Sequence, residues 1–255
     1  MRRASIVILA LACSGGLAID HLDLHAPWNA VKVLSFNRGD ASDSASGSFS
    51  QVPTVAGNTT FPGRSVEFDG TDDYLYYPDA DHLSFTDGAG TDRPFSITAW
   101  VFMDSTTGTR CVASKEDYNA TNGSEWGFNV AAGKVQGAVF AASGNTGKIR
   151  TGNTTTLSTA TWYFVAMTYS GSETVAGIKL YVNGVEEAAY TTSLDTTMTG
   201  MSNTAAKMYV GINSGTQGTN YYDFDGKIDD VVVWSSELSA AEIGAMYATG
   251  LGVTR

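Results

Sequence analysis

Two apolar runs at residues 161–190 carry the clearest pattern of hydrophobic and polar positions in the chain. In the first run, residues 162–169 (WYFVAMTY), neither of the two alternating faces is polar, which is typical of a strand that is covered on both sides. The second run, residues 178–182 (IKLYV), alternates more regularly and ends at Asn183-Gly184, a dipeptide that favours a type I′ hairpin turn. Residues 185–191 then return, so the pattern predicts an antiparallel hairpin that needs a second sheet to cover it.

Similar short runs recur along the rest of the chain and predict an all-β protein. We expect strands at residues 31–36, 94–101, 110–115, 125–130, 135–141, 148–150, 207–212 and 224–234, and a strand, tight turn and strand within residues 65–75. A short helix should close the chain, because Ser239 and Glu242 have the spacing of a capping box and an apolar stripe follows at Ile243, Met246 and Tyr247. The predicted architecture is a two-sheet antiparallel sandwich with a C-terminal helix.

Length and charge limit the number of domains and the class of partner. A chain of 255 residues fits one β-sandwich, and we find no internal repeat and no long linker, so residues 21–255 are predicted to form a single domain. The formal net charge of −11 argues against nucleic acid and anionic membranes as partners, since like charges repel. The same charge is compatible with a neutral glycan or with divalent cations.

The first twenty residues allow two interpretations. Arg2-Arg3, the apolar run 4–12 and the small residues before Cys13 have the form of a secretory signal peptide, whereas the alternative is an apolar arm that stays on the protein. The apolar run is too short to span a bilayer. Only Cys13 and Cys111 are present, which excludes a disulfide framework, and Cys111 is expected to be a small buried residue of a strand.

Four separated motifs resemble those of laminin-G-like, concanavalin A-like jelly rolls, a group that includes the pentraxins. They are FDGTDDYL at 68–75, PFSITAWV at 94–101, the hairpin at 162–185, and FDGKIDDVVVW at 224–234 followed by LS and EI at 238–243. Their order along the chain is that of the family. The resemblance covers roughly residues 31–250 and implies that the predicted sandwich is a jelly roll.

The resemblance also implies a calcium site where two loops meet at one rim or face of the sandwich. Here those loops are residues 115–124 and 213–223, which offer the oxygen ligands that calcium prefers. The predicted metal ligands are Asp117, Asn122, Glu125, Asn213 and Asp223. A second acidic group offers an alternative calcium site or a set of turn-stabilising carboxylates, and it comprises Asp69, Asp72, Asp73, Asp87, Asp92, Asp225 and Asp229.

The same two loops are the predicted ligand-binding surface. Their amide side chains can bond to hydroxyl groups, and their tyrosines can stack on sugar rings. The predicted ligand-binding residues are Tyr118, Asn119, Asn122, Glu125, Asn213, Gln217, Asn220, Tyr221 and Tyr222.

No catalytic site is predicted. Glucanases of the laminarinase type, which share this architecture, require Glu-x-Asp-x-x-Glu along one strand, and residues 67–72 end in Asp72 beyond a Gly-Thr turn. An Asp in a turn does not supply the pair of carboxylates that glycoside hydrolysis needs. The three histidines lie in no recognisable catalytic motif, and there is no phosphate-binding loop or cysteine-pair metal site.

The sequence therefore predicts a non-catalytic recognition domain at an extracellular or cell surface. The expected ligand is a carbohydrate or another cell-surface ligand, with calcium as a candidate cofactor. The alternative is a structural protein, such as a decoration or fibre subunit of a virion or another surface assembly, with other subunits of that assembly as partners. The fold does not identify the ligand, because sandwiches of this kind carry many functions.

Overall fold

Two antiparallel sheets form the protein. The computed structural model describes residues 32–36, 54–56, 65–87, 89–117, 123–141, 146–213 and 222–249. The strands are β1 (Lys32–Phe36), β2 (Thr54–Ala56), β3 (Val66–Asp69), β4 (Tyr74–Tyr77), β5 (Phe95–Met103), β6 (Thr109–Glu116), β7 (Ser124–Ala131), β8 (Lys134–Phe140), β9 (Gly147–Gly152), β10 (Trp162–Tyr169), β11 (Ile178–Val182), β12 (Val185–Glu186), β13 (Tyr190–Asp195), β14 (Met208–Val210) and β15 (Asp225–Trp234). One α-helix, α1 (Ala240–Thr249), follows the last strand.

The strand order confirms the predicted sandwich. The first sheet has seven strands in the order β1-β15-β5-β10-β11-β12, with β3 also paired to β15. The second sheet has eight strands in the order β13-β9-β8-β7-β6-β14-β4-β2. Side chains from both sheets form one apolar cluster between them, which includes Phe95, Val101, Trp126, Phe128 and Met167.

The predicted hairpin is present at the centre of the first sheet. β10 pairs with β11 over Val165–Tyr169, and the turn residues Asn183 and Gly184 have φ values of 50° and 79°, as a type I′ turn requires. The two faces of β10 are both covered, since Val165 and Met167 face the core between the sheets while Phe164 and Ala166 belong to a separate apolar cluster. That cluster also contains Ile243 and Met246 of α1, so the helix covers the outer face of the first sheet.

The return strand predicted at residues 185–191 is wrong in its extent. Only Val185 and Glu186 pair with β11, after which the chain leaves the first sheet, and Tyr190–Asp195 pairs with β9 in the second sheet. The crossing occurs at Glu187, whose buried carboxylate accepts hydrogen bonds from the backbone amides of Thr154 and Thr155. A charged group with two amide donors holds the chain at this point better than continued pairing would.

A second crossing occurs at the predicted turn within residues 65–75. β3 pairs with β15 in the first sheet, whereas β4 pairs with β14 in the second, so the turn is an arch between the sheets and not a hairpin. Gly70 adopts a φ of 77°, which a residue without Cβ tolerates at little cost. The arch brings the aspartates of this turn to one end of the sandwich.

The helix begins as its capping box predicts. The backbone amide of Ser239 donates to Glu242 Oε2 at 2.7 Å, and the amide of Glu242 donates to Ser239 Oγ at 3.3 Å. Among the described residues, no helix combines the length and apolar character that crossing a bilayer requires. The prediction that Cys111 is buried is also confirmed, with 0% of the residue exposed.

Candidate functional site

Strand pairing changes the relation between the two loops that were expected to meet. β6 and β14 are antiparallel, with Met208 opposite Lys115 and Val210 opposite Ala113. The chain therefore leaves the two strands in opposite directions, and the loop after β6 begins at the other end of the pair from the loop after β14. Most of both loops lies outside the described residues, so the expected meeting of the loops stays a prediction.

Glu125 is not at a rim, as its assignment to a calcium site required. Its side chain is fully buried, and Oε1 accepts hydrogen bonds from Lys115 Nζ at 2.6 Å and from the amide and hydroxyl of Thr204 at 2.7 and 2.9 Å. Ser84 Oγ donates to the same oxygen at 3.3 Å. Lys115, which also lies 2.8 Å from Asp79 Oδ1, neutralises this carboxylate, so Glu125 fits a structural ion pair and not a calcium ligand at a rim.

Asn213 is buried on the outer face of the second sheet. Only 1% of the residue is exposed, and its Oδ1 has no hydrogen-bond partner among the described residues. The carbonyl of the preceding residue, Ile212, accepts a hydrogen bond from Ser114 Oγ at 3.2 Å, so the chain crosses the outer side of β6 at this point. A buried amide oxygen without a donor is uncommon in proteins and needs a physical reason.

Tyr222 and Asp223, two further predicted residues, lie next to the start of β6. The amide of Cys111 donates to the carbonyl of Tyr222 at 2.7 Å, and Arg110 Nη1 donates to the carbonyl of Asp223 at 2.7 Å. The side chain of Tyr222 is 37% exposed, which leaves its ring accessible at this end of the sandwich.

Of the other seven predicted loop residues, the structure describes only Asp117. Asp117 closes its loop through a hydrogen bond from its amide to the carbonyl of Gly123 at 2.8 Å. Tyr118, Asn119, Asn122, Gln217, Asn220 and Tyr221 lie outside the described residues. Their assignment as ligand-binding or metal-binding residues stays a prediction.

Part of the second acidic group forms a cluster at the arch between β3 and β4. Carboxylate oxygens of Asp69, Asp72 and Asp73 lie within 4.8 Å of one another. The amide of Asp69 donates to Asp73 Oδ2 and that of Thr71 donates to Asp69 Oδ1, both at 2.9 Å, so backbone amides fix the orientation of these side chains. Three carboxylates at this separation match the donor set that calcium prefers.

Two aspartates from β15 and the segment before it extend this cluster. Asp225 lies opposite Asp69 in the pairing of β15 with β3. Burial raises the pKa of Asp223 above its usual range, and the carboxylates of Asp69 and Asp72 add to the increase. We call Asp69, Asp72, Asp73, Asp223 and Asp225 the acidic rim.

One cation faces the acidic rim among the described residues. Arg110 Nη2 lies 3.9 Å from Asp225 Oδ2, and its positive charge opposes the increase in the pKa values of Asp223 and Asp225 that burial causes. Arg110 is thus the described cation whose charge acts on the carboxylates of the rim.

The remaining members of the second acidic group lie elsewhere and have structural roles. Asp87 Oδ1 accepts hydrogen bonds from the amides of Ala89 and Thr91, and these bonds lower the pKa of Asp87. Asp92 is buried and accepts from Tyr169 Oη and the amide of Met201. Asp229 Oδ1 accepts from the amide of Asp230. These bonds support the interpretation of turn-stabilising and structural carboxylates for these three residues.

An aromatic pair at the same end of the first sheet was not predicted as part of a site. The rings of Trp162 and Phe102 lie 5.5 Å apart between centroids, and 38% of Trp162 is exposed. Phe102 lies opposite Lys227, which in turn lies opposite Glu67, so these side chains form a row two residues from the Asp69–Asp225 pair. The sequence assigned Trp162 to the covered face of β10, and its position at the first residue of the strand was the available signal of exposure.

A match to a known protein family agrees with this fold. Residues 69–244 match the family model described as the concanavalin A-like lectin/glucanases superfamily, a laminin G type. The chain belongs to the concanavalin A-like lectin/glucanases superfamily. No curated protein sequence matches the chain.

Solved structures with the same fold as this superfamily member include several toxin binding domains. The botulinum neurotoxin serotype D binding domain has a TM-score of 0.57 at 19% identity, over 86% of this chain and 51% of that one. The binding domain of Paraclostridial Mosquitocidal Protein 1 has a TM-score of 0.60 at 11% identity, over 86% and 52%. The botulinum neurotoxin type G receptor binding domain has a TM-score of 0.56 at 12% identity, over 86% and 51%. The chain spans about half the length of each of these structures.

The superfamily description includes glucanases, which makes the placement of residues 67–72 informative. β3 ends at Asp69, and Asp72 lies beyond Gly70 in the arch, where its carboxylate joins those of Asp69 and Asp73. Glu67 lies opposite Lys227 on the first sheet. These carboxylates therefore do not line one strand face, as the glucanase pattern requires.

The outer face of the second sheet carries a cluster of tyrosines that the sequence did not predict. Tyr74, Tyr76 and Tyr209 form a cluster with ring centroids 5.9 to 6.3 Å apart, and Lys207 Nζ lies 4.2 Å from the centre of the Tyr76 ring. Small residues follow on the neighbouring strands, since Tyr209 lies opposite Ser114 and Ser114 lies opposite Gly127. In this superfamily member, one sheet is thus covered by a helix and the other is lined by tyrosines and polar side chains.

Proposed function

We propose that this protein is a non-catalytic recognition domain that binds a carbohydrate ligand at the acidic rim with the help of calcium. The observation that carries the proposal is the cluster of carboxylates of Asp69, Asp72 and Asp73. Asp223 responds to the charges of two of them, and the exposed Tyr222 directly precedes it in the chain. Membership of a superfamily that contains lectins and the shared fold with toxin binding domains support a binding role. The same comparisons do not identify the ligand.

Calcium would bind to the rim through carboxylate oxygens. Asp69, Asp72 and Asp73 are the first ligands, and Asp223 lies close enough for its pKa to respond to the charges of two of them. A cation there would add to the positive charge that Arg110 brings to the rim. It would also offer open coordination positions to ligand hydroxyl groups.

Aromatic rings at the same end supply the second element of sugar recognition. Tyr222 and Trp162 are both more than a third exposed, and each presents an apolar ring next to polar groups. Rings of this kind bury apolar area while their polar atoms remain solvated. The rim thus combines the two kinds of contact that a polyhydroxylated ring can use.

The test is a glycan-array screen of the whole chain with calcium chloride and again with a chelator. We expect calcium-dependent binding that is lost in Asp72→Asn and retained in Asp87→Asn, a matched removal of one exposed carboxylate in a turn away from the rim. Tyr222→Ala should weaken binding, whereas Tyr222→Phe, which keeps the ring, should not.

Other outcomes separate the parts of the proposal. Binding that persists in the chelator would keep the carbohydrate and remove the calcium. Binding that Asp72→Asn and Tyr222→Ala leave unchanged would place the site elsewhere. An absence of glycan binding in both conditions would favour the alternative prediction of a structural subunit of a virion or surface assembly, which rests on N-terminal residues outside the described ranges.

A further inference from the structure

A fully buried lysine contacts two carboxylates at the end of β6. The side chain of Lys115 is 0% exposed, and its Nζ lies 2.6 Å from Glu125 Oε1 and 2.8 Å from Asp79 Oδ1. The same nitrogen donates to the carbonyl oxygen of Thr204 at 3.0 Å. Lysine is almost never buried to this extent without a partner, and one carboxylate would be enough to pair its charge. The second carboxylate therefore suggests a role beyond an ion pair.

The Lys115 side chain is surrounded by core residues. Met208 and Trp126 lie opposite Lys115 on the two neighbouring strands, and both are fully buried in the cluster between the sheets. Exclusion of water disfavours the charged form of a lysine, and the uncharged amine is a nucleophile. A carboxyl carbon next to such an amine is a site that the amine can attack.

Asp79 holds such a carbon beside the amine. It follows β4, whose residue Tyr77 lies opposite Met208, so the pairing of β4, β14 and β6 brings Asp79 to Lys115. Nζ lies 2.8 Å from Asp79 Oδ1, and Cγ is one bond beyond that oxygen. Groups held this close react far faster than the same groups free in solution. The Asp79 side chain is 37% exposed, which gives a small product a path to solvent.

Glu125 is placed to move protons between these two groups. Its Oε1 is fixed by Lys115 Nζ and by the amide and hydroxyl of Thr204. Its Oε2 is buried and has no hydrogen-bond partner among the described residues. A buried carboxylate takes up a proton more readily than an exposed one, because desolvation disfavours its charge. One oxygen of Glu125 thus touches the amine while the other is open to a proton.

We propose that Lys115 and Asp79 condense to an intramolecular amide bond, with Glu125 as the proton carrier. The nitrogen of Lys115 attacks Cγ of Asp79 and forms the C–N bond, and one C–O bond of Asp79 breaks. Two protons of the Lys115 ammonium group pass to the departing oxygen, which leaves as water. Glu125 carries a proton from the nitrogen to that oxygen and ends as the carboxylate it was. The step needs no oxidant or co-reactant, and its residues are separate from the acidic rim.

A second lysine–aspartate pair in the same sheet lacks the proton carrier. Lys148 Nζ lies 2.6 Å from Asp195 Oδ1, and its other described acceptor is the carbonyl oxygen of Thr196. Within the described part of the chain, no second carboxylate lies at ion-pair distance from Lys148. We expect this pair to stay an ion pair, which makes it a control for the effect of proximity alone.

The test is mass spectrometry of the whole chain after denaturation and digestion with trypsin. We expect one product in which the peptide containing Asp79 is joined to the peptide containing Lys115, at the sum of their masses less one water. Trypsin should no longer cleave after Lys115. The same digest should contain no joined product of Lys148 and Asp195. If the Asp79 and Lys115 peptides are recovered separately and at their full masses, the proposal is wrong.

Three variants test the roles of the residues. Asp79→Ala removes the attacked carbon at a partly exposed position and should abolish the joined product. Glu125→Gln keeps the shape of the side chain and removes the proton carrier, so the joined fraction should fall at least about tenfold. Asp195→Ala should leave the fraction unchanged. An equal yield in Glu125→Gln, shown to be folded by circular dichroism, would overturn the role of Glu125. If that variant does not fold, the wild type and Asp79→Ala decide whether the bond forms.

Discussion

Glu125 and Glu116 are two buried glutamates on the same pair of strands, and they have opposite surroundings. Glu125 has a buried lysine at 2.6 Å and three further donors from Ser84 and Thr204 on the same oxygen. Glu116 has no such partner in the described chain and rests on the bare backbone of Gly127. Burial raises the pKa of both carboxyl groups, but only in Glu125 do a lysine and hydrogen bonds oppose the increase.

The difference separates a buried carboxylate with a cation beside it from one whose pKa burial alone raises. A buried ion pair such as that of Lys115 and Glu125 contributes little net stability, yet breaking it leaves a costly buried charge. An unsatisfied carboxylate costs stability until something binds to it. The stability of variants at these two glutamates and at their neighbours therefore tests whether each carboxylate is compensated in solution.

The largest effect is expected at the satisfied pair. Glu125→Ala leaves the buried Lys115 ammonium with Asp79 and the Thr204 carbonyl as its described partners, so the free energy of unfolding should fall by about 3–5 kcal/mol. Chemical denaturation measures this change. Asp195→Ala is the control, because it removes the half-exposed partner of Lys148 and should cost about 1 kcal/mol or less. Equal losses in the two variants would contradict the structural role of Glu125.

The next effect concerns pH and Glu116 in metal-free protein. The folded pKa of about 8 exceeds the unfolded value of about 4.3, so the folded state binds the extra proton between these values. Stability from this group is complete below the unfolded pKa and is lost as pH rises through 8. Glu116→Gln should therefore match the wild type near pH 4 and be the more stable protein above pH 8.

Urea unfolding from pH 4 to pH 9 in a chelator measures this difference. A pH profile that is parallel in the two proteins would show that Glu116 is compensated in solution.

Gly127→Ala tests the space on which Glu116 depends. The new methyl group would overlap Glu116 Oε1, so we expect a loss of about 1–3 kcal/mol, the usual range for overpacking. In the double variant with Glu116→Ala, most of this loss should disappear, which gives a coupling energy of at least about 0.5 kcal/mol. Additive losses would mean that the backbone, and not the carboxylate, opposes the methyl group.

The two glutamates also show which side-chain positions could be predicted from the sequence and which could not. Alternation along β7 places Trp126 and Phe128 in the core, which the apolar pattern predicts correctly. The pairing of β6 with β7 shifts by one residue after Lys115, so that Lys115 lies opposite Trp126 while Glu116 lies opposite Ser124. A bulge of this kind exchanges faces without a local sequence signal, since the side-chain period of a strand is two.

The prediction of strands, turns and the helix succeeded because local rules decide them. Asn183-Gly184 and the Ser239–Glu242 capping box form as their own chemistry requires. The site depends instead on pairing between distant segments, such as Asp225 with Asp69 and β14 with β6. The sequence correctly grouped Asp69, Asp72 and Asp73 as a candidate cluster. It assigned Asp223 to a different pair of loops, because the sequence of one strand does not show which strand pairs with it or in which direction.

The smallest expected effect comes from removing one of the donors to Glu125. Thr204→Val keeps the amide that donates to Glu125 at 2.7 Å and removes the hydroxyl that donates to it at 2.9 Å and accepts from the Ala206 amide at 3.2 Å, so we expect a loss of about 1 kcal/mol. Thr192→Val, at an exposed position of β13, is the matched control and should change stability by less than about 0.5 kcal/mol. Thermal unfolding measures the loss of stability in both variants. A loss in Thr204→Val as small as that in the control would mean that Glu125 does not need the Thr204 hydroxyl, because Lys115 is a sufficient partner.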